Sequence, residues 1–157
     1  MNVPKETPEG FLQHAQEFWA AADLVLNRAE GVSLPAYFLL GRSIELSLKA
    51  FLLHKGMPIS ELRKKRYGHN LRALLAESRA QGIERFVELE AIDAGVIDLL
   101  SYDYEAKRFE YRITKGTYVL PLLPETWGVA QRLAYKLNSV WESSERGVTS
   151  GTGVDLL

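Results

Sequence analysis

Three charged side chains interrupt the most apolar stretch of the chain, residues 34–53. Arg42, Glu45 and Lys49 are spaced by three and four residues, so they share one face of a helix. A charge in an apolar core is costly unless it is paired, and the spacing therefore predicts an internal ion pair between Glu45 and its cationic neighbours. The alternative is a ligand-binding or catalytic cluster, because such sites also gather charges on one face.

A histidine stands where the next helix is expected to begin, in the segment Gly68-His69-Asn70. The N-terminus of a helix carries about half a positive charge, which disfavours a protonated ring at His69. The favoured interpretation is a capping or packing histidine; the alternative is a general base, because a neutral ring can accept a proton. His14 and His54 lack the neighbouring ligands that zinc needs, so no metal and no cofactor are expected.

A basic run, Arg63-Lys64-Lys65-Arg66, precedes that histidine. Residues 61–79 hold six basic and two acidic residues, whereas residues 84–105 hold seven acidic residues and one basic residue. The run is suited to contact the phosphates of RNA or of a nucleotide. A short basic run is more often a solvated face, however, and contact with the acidic face of a second copy of the chain is a further alternative.

Aromatic and β-branched residues surround Gly116. This pattern predicts a β-hairpin with strands over residues 109–113 and 117–120. Arg112 lies among the aromatic residues, where it could hold a phosphate while rings stack on bases. The favoured interpretation is that these rings cover the end of the bundle or a dimer interface.

Composition narrows the functional class. The 157 residues suit one domain, taken as 1–157, and the net charge of −1 argues against a globally basic nucleic-acid coat. The absence of cysteine excludes disulfides, thiol nucleophiles and cysteine-bound zinc. The sequence also lacks the phosphate-loop, dinucleotide-binding, serine-hydrolase and HExxH motifs.

Helical periodicity dominates the chain. It predicts helices over residues 8–30, 34–55, 70–80, 84–103 and 124–145. Short connections indicate an all-α fold, an antiparallel up-and-down helical bundle of about five helices with a small β-hairpin before the last helix. Residues 147–157 are expected to form a flexible tail.

The apolar stretch is not expected to cross a membrane, because its three charges outweigh the insertion energy of its apolar residues. The first ten residues lack the apolar core of a secretion signal, so a cytoplasmic location is expected.

The segment at residues 37–53, YFLLGRSIELSLKAFLL, followed by Gly68-His69-Asn70-Leu71, resembles the HEPN superfamily of small helical domains. In that family a central helix carries a Glu-Leu-x-Leu-Lys segment, and the next helix opens with a histidine, a polar residue and a leucine. The resemblance is best over residues 35–80. It implies a helical bundle, a homodimer, and a place in toxin–antitoxin, antiviral or RNA-processing systems.

Active members of that family are metal-independent ribonucleases. They use an arginine followed, after four to six intervening residues, by a histidine late in the fold, and two copies form a joint site. The predicted last helix contains no histidine here, and the one match to this spacing is Arg63 with His69, before the third helix.

The favoured interpretation is therefore a non-catalytic, homodimeric interaction module with a protein partner. One alternative is a ribonuclease with His69 as base and Arg63 stabilising the transition state. Another is a nucleotide-binding accessory subunit, in which Arg42, Lys49 or the basic run holds phosphates.

Overall fold

The computed structural model describes residues 6–111 and 116–142. Within those ranges the chain forms six α-helices, one short 3-10 helix at Ile83–Arg85, and no β-strand. The α-helices are α1 Pro8–Arg28, α2 Leu34–His54, α3 Ile59–Leu62, α4 Leu71–Ala80, α5 Ala91–Glu105 and α6 Leu123–Lys136. The predicted all-α class and the helical bundle are confirmed.

The helix starts follow from local side chains. Thr7 accepts a hydrogen bond from the N–H of Gly10, and Ser33 accepts one from the N–H of Ala36, which satisfies free donors at the starts of α1 and α2. Asn70 caps α4 in the same way. Because these bonds span three residues, the sequence predicts the helix starts well.

Helix α2 is the centre of the bundle. It packs against α1, α4, α5 and α6, and most of its side chains are buried. Phe51, Ile44 and Leu48 lie wholly inside the core. A helix that is surrounded on most sides must be apolar nearly all round, which explains its composition.

Two predicted helices are interrupted in the structure, whereas the other three agree with it to within two residues. The helix expected over residues 84–103 is divided into the 3-10 turn and α5, which begins where Glu90 and Asp93 form a reciprocal capping box. The last helix ends at Lys136, and residues 138–142 turn helical again after Leu137. The periodicity of apolar residues continues through both breaks, so it predicts neither of them. The breaks are made by the capping box and by the turn at Leu137.

The predicted β-hairpin is not supported by the described residues. Residues 109–111 and 116–120 contain no strand, while residues 112–115, including Arg112, lie outside the described ranges. The Phe109 ring stacks on Tyr37 and on Tyr118, with ring centroids 6.1 and 5.9 Å apart. Phe109 and Tyr118 therefore cover the bundle here, as the favoured interpretation predicts, whereas Tyr111 is exposed.

An acidic side chain replaces strand pairing in this segment. The buried carboxylate of Asp103 accepts the N–H of Val119 at 2.6 Å and pairs with Arg108 at 2.9 Å. In a hairpin the N–H of Val119 would donate to a neighbouring strand. Here it donates to a side chain of α5. Tertiary contact overrides the local β preference.

No helix in the described ranges has the length and apolar character needed to span a membrane. The tail predicted over residues 147–157 lies outside the described ranges.

Candidate functional site

The predicted cluster on α2 forms around a buried carboxylate. Glu45 is only 1% exposed, and its Oε2 accepts hydrogen bonds from Arg42 at 3.0 Å and from Lys49 at 3.1 Å. Its Oε1 lies 2.8 Å from the hydroxyl of Tyr104 and 2.7 Å from Nδ1 of His69. Four partners therefore surround one carboxylate.

Three elements build this arrangement. Helical spacing places Arg42 and Lys49 one turn on either side of Glu45. His69 precedes α4 and leaves the capping of that helix to Asn70, while its ring packs edge-on against the ring of Tyr104 with centroids 6.0 Å apart. Tyr104 comes from the last turn of α5.

The surroundings keep Glu45 ionised. Burial by itself raises the pKa of this carboxyl, but the hydrogen bond from His69, the charges of Lys49 and Arg42, and the Tyr104 hydroxyl together hold its pKa below the ordinary value. Burial and the adjacent carboxylate raise the pKa of Tyr104 strongly, so its hydroxyl remains a neutral donor. Hydrogen bonds and the opposite charges of Arg42 and Lys49 therefore keep the carboxylate of Glu45 ionised.

The ionised carboxylate also determines the tautomer of His69. A carboxylate only accepts hydrogen bonds, so Nδ1 of His69 must carry a proton. In a neutral ring the other nitrogen, Nε2, is then an acceptor. The side chain of His69 is 41% exposed, so this ring is reachable from solvent, unlike Glu45.

The cluster forms one wall of a cavity of about 380 Å³ between α1, α2 and the segment around α3. Five predicted site residues line it: Arg42, Glu45, Lys49, Arg63 and His69. These five side chains are up to 27 positions apart in the sequence, and the whole lining, from Glu6 to His69, spans 63 positions.

One residue of the basic run lines this cavity, and the other three do not. Arg63 lines it and forms an ion pair with Glu6, while both side chains remain exposed. Lys64 pairs with Glu61 at 2.7 Å, and the guanidinium of Arg66 lies over the ring of Tyr67. Lys65 is exposed and does not line the cavity.

Sequence reasoning missed two residues of this site. Tyr104 belongs to the aromatic region around the predicted hairpin, and it reaches Glu45 across 59 positions. The sequence predicts a solvated pair of His14 with Glu17, which lies 4.0 Å away, but it does not predict that His14 lines the cavity from α1. Neither residue carries a local spacing signal toward Glu45, so only the packing of the helices shows their place.

Among the described residues, no group of three or more His, Cys, Asp or Glu side chains is arranged to hold a metal ion.

No protein-family profile, curated protein or solved structure matches this chain. The HEPN resemblance therefore stays a prediction.

Proposed function

We propose that the chain is a non-catalytic, HEPN-like, homodimeric module of a toxin–antitoxin, defence or RNA-linked system, and that its cavity binds a phosphate group of an RNA or nucleotide ligand. The observation that carries the ligand proposal is the convergence of Arg42, Lys49 and Arg63 with His69 on one cavity. The homodimer and the biological setting rest on the sequence resemblance.

The hydrogen bonds of Glu45 favour an anionic ligand. A carboxylate has about four acceptor positions, and four donors already surround this one. Lys49 and Arg42 each carry more donors than they use on Glu45, because an ammonium has three N–H groups and a guanidinium has five. The cavity wall therefore offers spare donors and few free acceptors.

Charge and size agree with this ligand class. Three cationic side chains line the cavity against the carboxylates of Glu45 and Glu6, which leaves a net positive charge even with neutral histidines. The volume of about 380 Å³ lies at the small end of ligand pockets, which run from roughly 300 to 1,000 Å³. It suits one nucleotide-sized group better than a duplex.

A metal-independent ribonuclease is the second candidate, and the 2.7 Å contact between His69 and Glu45 favours it. With Nδ1 protonated, Nε2 of His69 would take the proton of a ribose 2′-hydroxyl, whose oxygen would then attack the adjacent phosphorus. Arg63 would stabilise the added negative charge. The departing 5′-oxygen would need a proton, and His14 lines the same cavity.

Titration with adenosine monophosphate, pyrophosphate and a short single-stranded RNA tests the phosphate proposal. Binding should raise the melting temperature by mass action. Arg63→Gln should weaken binding, whereas Arg66→Gln should not, because Arg66 belongs to the same basic run but lies outside the cavity. Equal losses in the two variants, or no binding of any probe, would contradict the proposal.

Incubation with labelled single-stranded and structured RNA in EDTA separates the two candidates. The non-catalytic module leaves the RNA intact at micromolar protein. Cleavage that persists in EDTA and disappears in a folded His69→Ala variant would establish the ribonuclease instead. Circular dichroism of the variant confirms that the fold is retained.

A further inference from the structure

An ion pair joins two distant segments at the solvent-facing edge of the cavity. Arg63 directly follows α3, and Glu6 lies 57 positions earlier in the sequence, just before α1. Both side chains line the cavity, and the guanidinium of Arg63 pairs with the carboxylate of Glu6. One of the three cations that could hold a phosphate is therefore already in contact with an oxyanion of the chain itself.

Short-range contacts hold the backbone on both sides of this ion pair. Thr7, the neighbour of Glu6, caps α1 by accepting the N–H of Gly10 at 3.0 Å. Leu62, the neighbour of Arg63, is buried in the core. The carboxylate and the guanidinium are thus presented to each other by anchored segments, which gives the carboxylate a high effective concentration at Arg63.

The two carboxylates that line the cavity differ in how easily a ligand can replace them. Glu45 is buried and accepts hydrogen bonds from four groups, so displacing it would strand a buried charge. Glu6 and Arg63 are both more than half exposed, so water solvates the two charges when their ion pair opens. A ligand anion can therefore take the place of Glu6 at Arg63, but it cannot take the place of Glu45.

We propose that Glu6 is an internal competitor of the phosphate group, which a ligand must displace from Arg63 in order to contact all three cations of the cavity. Carboxylates and phosphates both accept paired hydrogen bonds from a guanidinium, so they compete for the same donors. This inference rests on the proposed phosphate site. It adds that the affinity of that site is held down by a residue of the chain itself.

The exposure of the ion pair determines the size of the effect. An exposed ion pair is weak, because water and salt screen its charges. Glu6 should therefore lower the affinity for phosphate by about two- to fivefold and should not block the site. Ligand at sufficient concentration opens the contact by mass action.

Isothermal titration calorimetry at low ionic strength, with pyrophosphate and adenosine monophosphate as probes, tests the proposal. Glu6→Gln should bind both probes about two- to fivefold more tightly than the wild type. Glu9→Gln is the matched control, because it removes the same charge only three residues away, from an exposed position in the first turn of α1 that does not line the cavity. It should bind with the affinity of the wild type.

A double variant shows whether Glu6 acts through Arg63. In protein that carries Arg63→Gln, the further change Glu6→Gln should leave the affinity unchanged, because the cation for which Glu6 competes is absent. A general repulsion between the Glu6 carboxylate and the ligand would instead raise the affinity equally in both backgrounds. Circular dichroism checks that each variant is folded.

The outcomes separate this inference from the phosphate site on which it rests. Measurable binding with equal affinity in the wild type and Glu6→Gln would overturn the competitor and leave the site in place. A gain of the same size in Glu9→Gln, or a gain that persists beside Arg63→Gln, would also overturn the competitor. Failure of both probes to bind the wild type and Glu6→Gln would contradict the phosphate site, and the competitor with it. Binding by Glu6→Gln alone would support both.

Discussion

The ring of Tyr104 lies directly against the backbone of Gly41. A Cβ at position 41 would lie 2.6 Å from Cδ2 of that ring, closer than real Cβ atoms approach other atoms. The absence of a side chain on α2 therefore creates the space through which Tyr104 reaches Oε1 of Glu45. A glycine in the middle of the core helix is explained by this contact.

Gly41→Ala should destabilise the protein by about 2 kcal/mol, because overpacking typically costs 1–3 kcal/mol and displaces the hydroxyl of Tyr104 from Glu45. Gly95→Ala is the matched control in an open helical position, and it should stabilise the monomeric fold by about 0.5–1 kcal/mol. Urea denaturation at a protein concentration that keeps the chain monomeric measures both variants. Similar stability of the two variants would show that Tyr104 does not depend on Gly41.

The four partners of Glu45 predict an order of destabilisation. Glu45→Gln should cost about 3–5 kcal/mol, since it removes the buried charge that pairs with Arg42 and Lys49. From sequence alone, Lys49→Met is expected to cost as much, because it would strand the carboxylate. In the structure Glu45 keeps three donors, so we expect about 1.5–3 kcal/mol.

Denaturant unfolding of the two variants at neutral pH compares these losses. Equal destabilisation by Glu45→Gln and Lys49→Met would mean that Lys49 is the dominant partner and that the other donors contribute little.

Acid should weaken the fold through Glu45. Its pKa is lower in the folded protein than its ordinary value of 4.5, so the unfolded chain binds the proton more readily. This contribution is fully present above pH 4.5 and is lost as the pH falls through the folded-state pKa. The groups that face this carboxyl are Arg42, Lys49, His69 and Tyr104.

Urea denaturation from neutral pH to below pH 4 measures this effect. The wild type should lose more stability over that range than Glu45→Gln, which lacks the titrating group. Parallel pH profiles would assign the acid sensitivity to other carboxylates.

The contact between Asp103 and Val119 should control the order of the segment before α6. Asp103→Ala leaves the N–H of Val119 without its acceptor and Arg108 without its carboxylate, so we expect a loss of about 3 kcal/mol. Amide hydrogen exchange should accelerate at residues 117–120. Asp98→Ala, an exposed carboxylate on the same helix, is the control and should leave this exchange unchanged.

Unchanged protection at residues 117–120 in Asp103→Ala would show that the stacked rings of Phe109 and Tyr118 suffice to hold the segment.

Local signals determined much of this protein. The all-α class, the starts of α1 and α2 at Thr7 and Ser33, and the central place of α2 all follow from periodicity and short-range caps. The cluster of Arg42, Glu45 and Lys49 on α2 could also be predicted, because a helix places residues three and four positions apart on one face. These features depend on neighbours within one or two helical turns.

Only the tertiary structure shows which distant residues contact that cluster. His69 and Tyr104 reach Glu45 from 24 and 59 positions away, and His14 and Arg63 join the cavity from two further segments. The expected hairpin failed for the same reason, since the side chain of Asp103 takes the N–H of Val119. Contacts between distant segments depend on how the helices pack, and no local spacing encodes them.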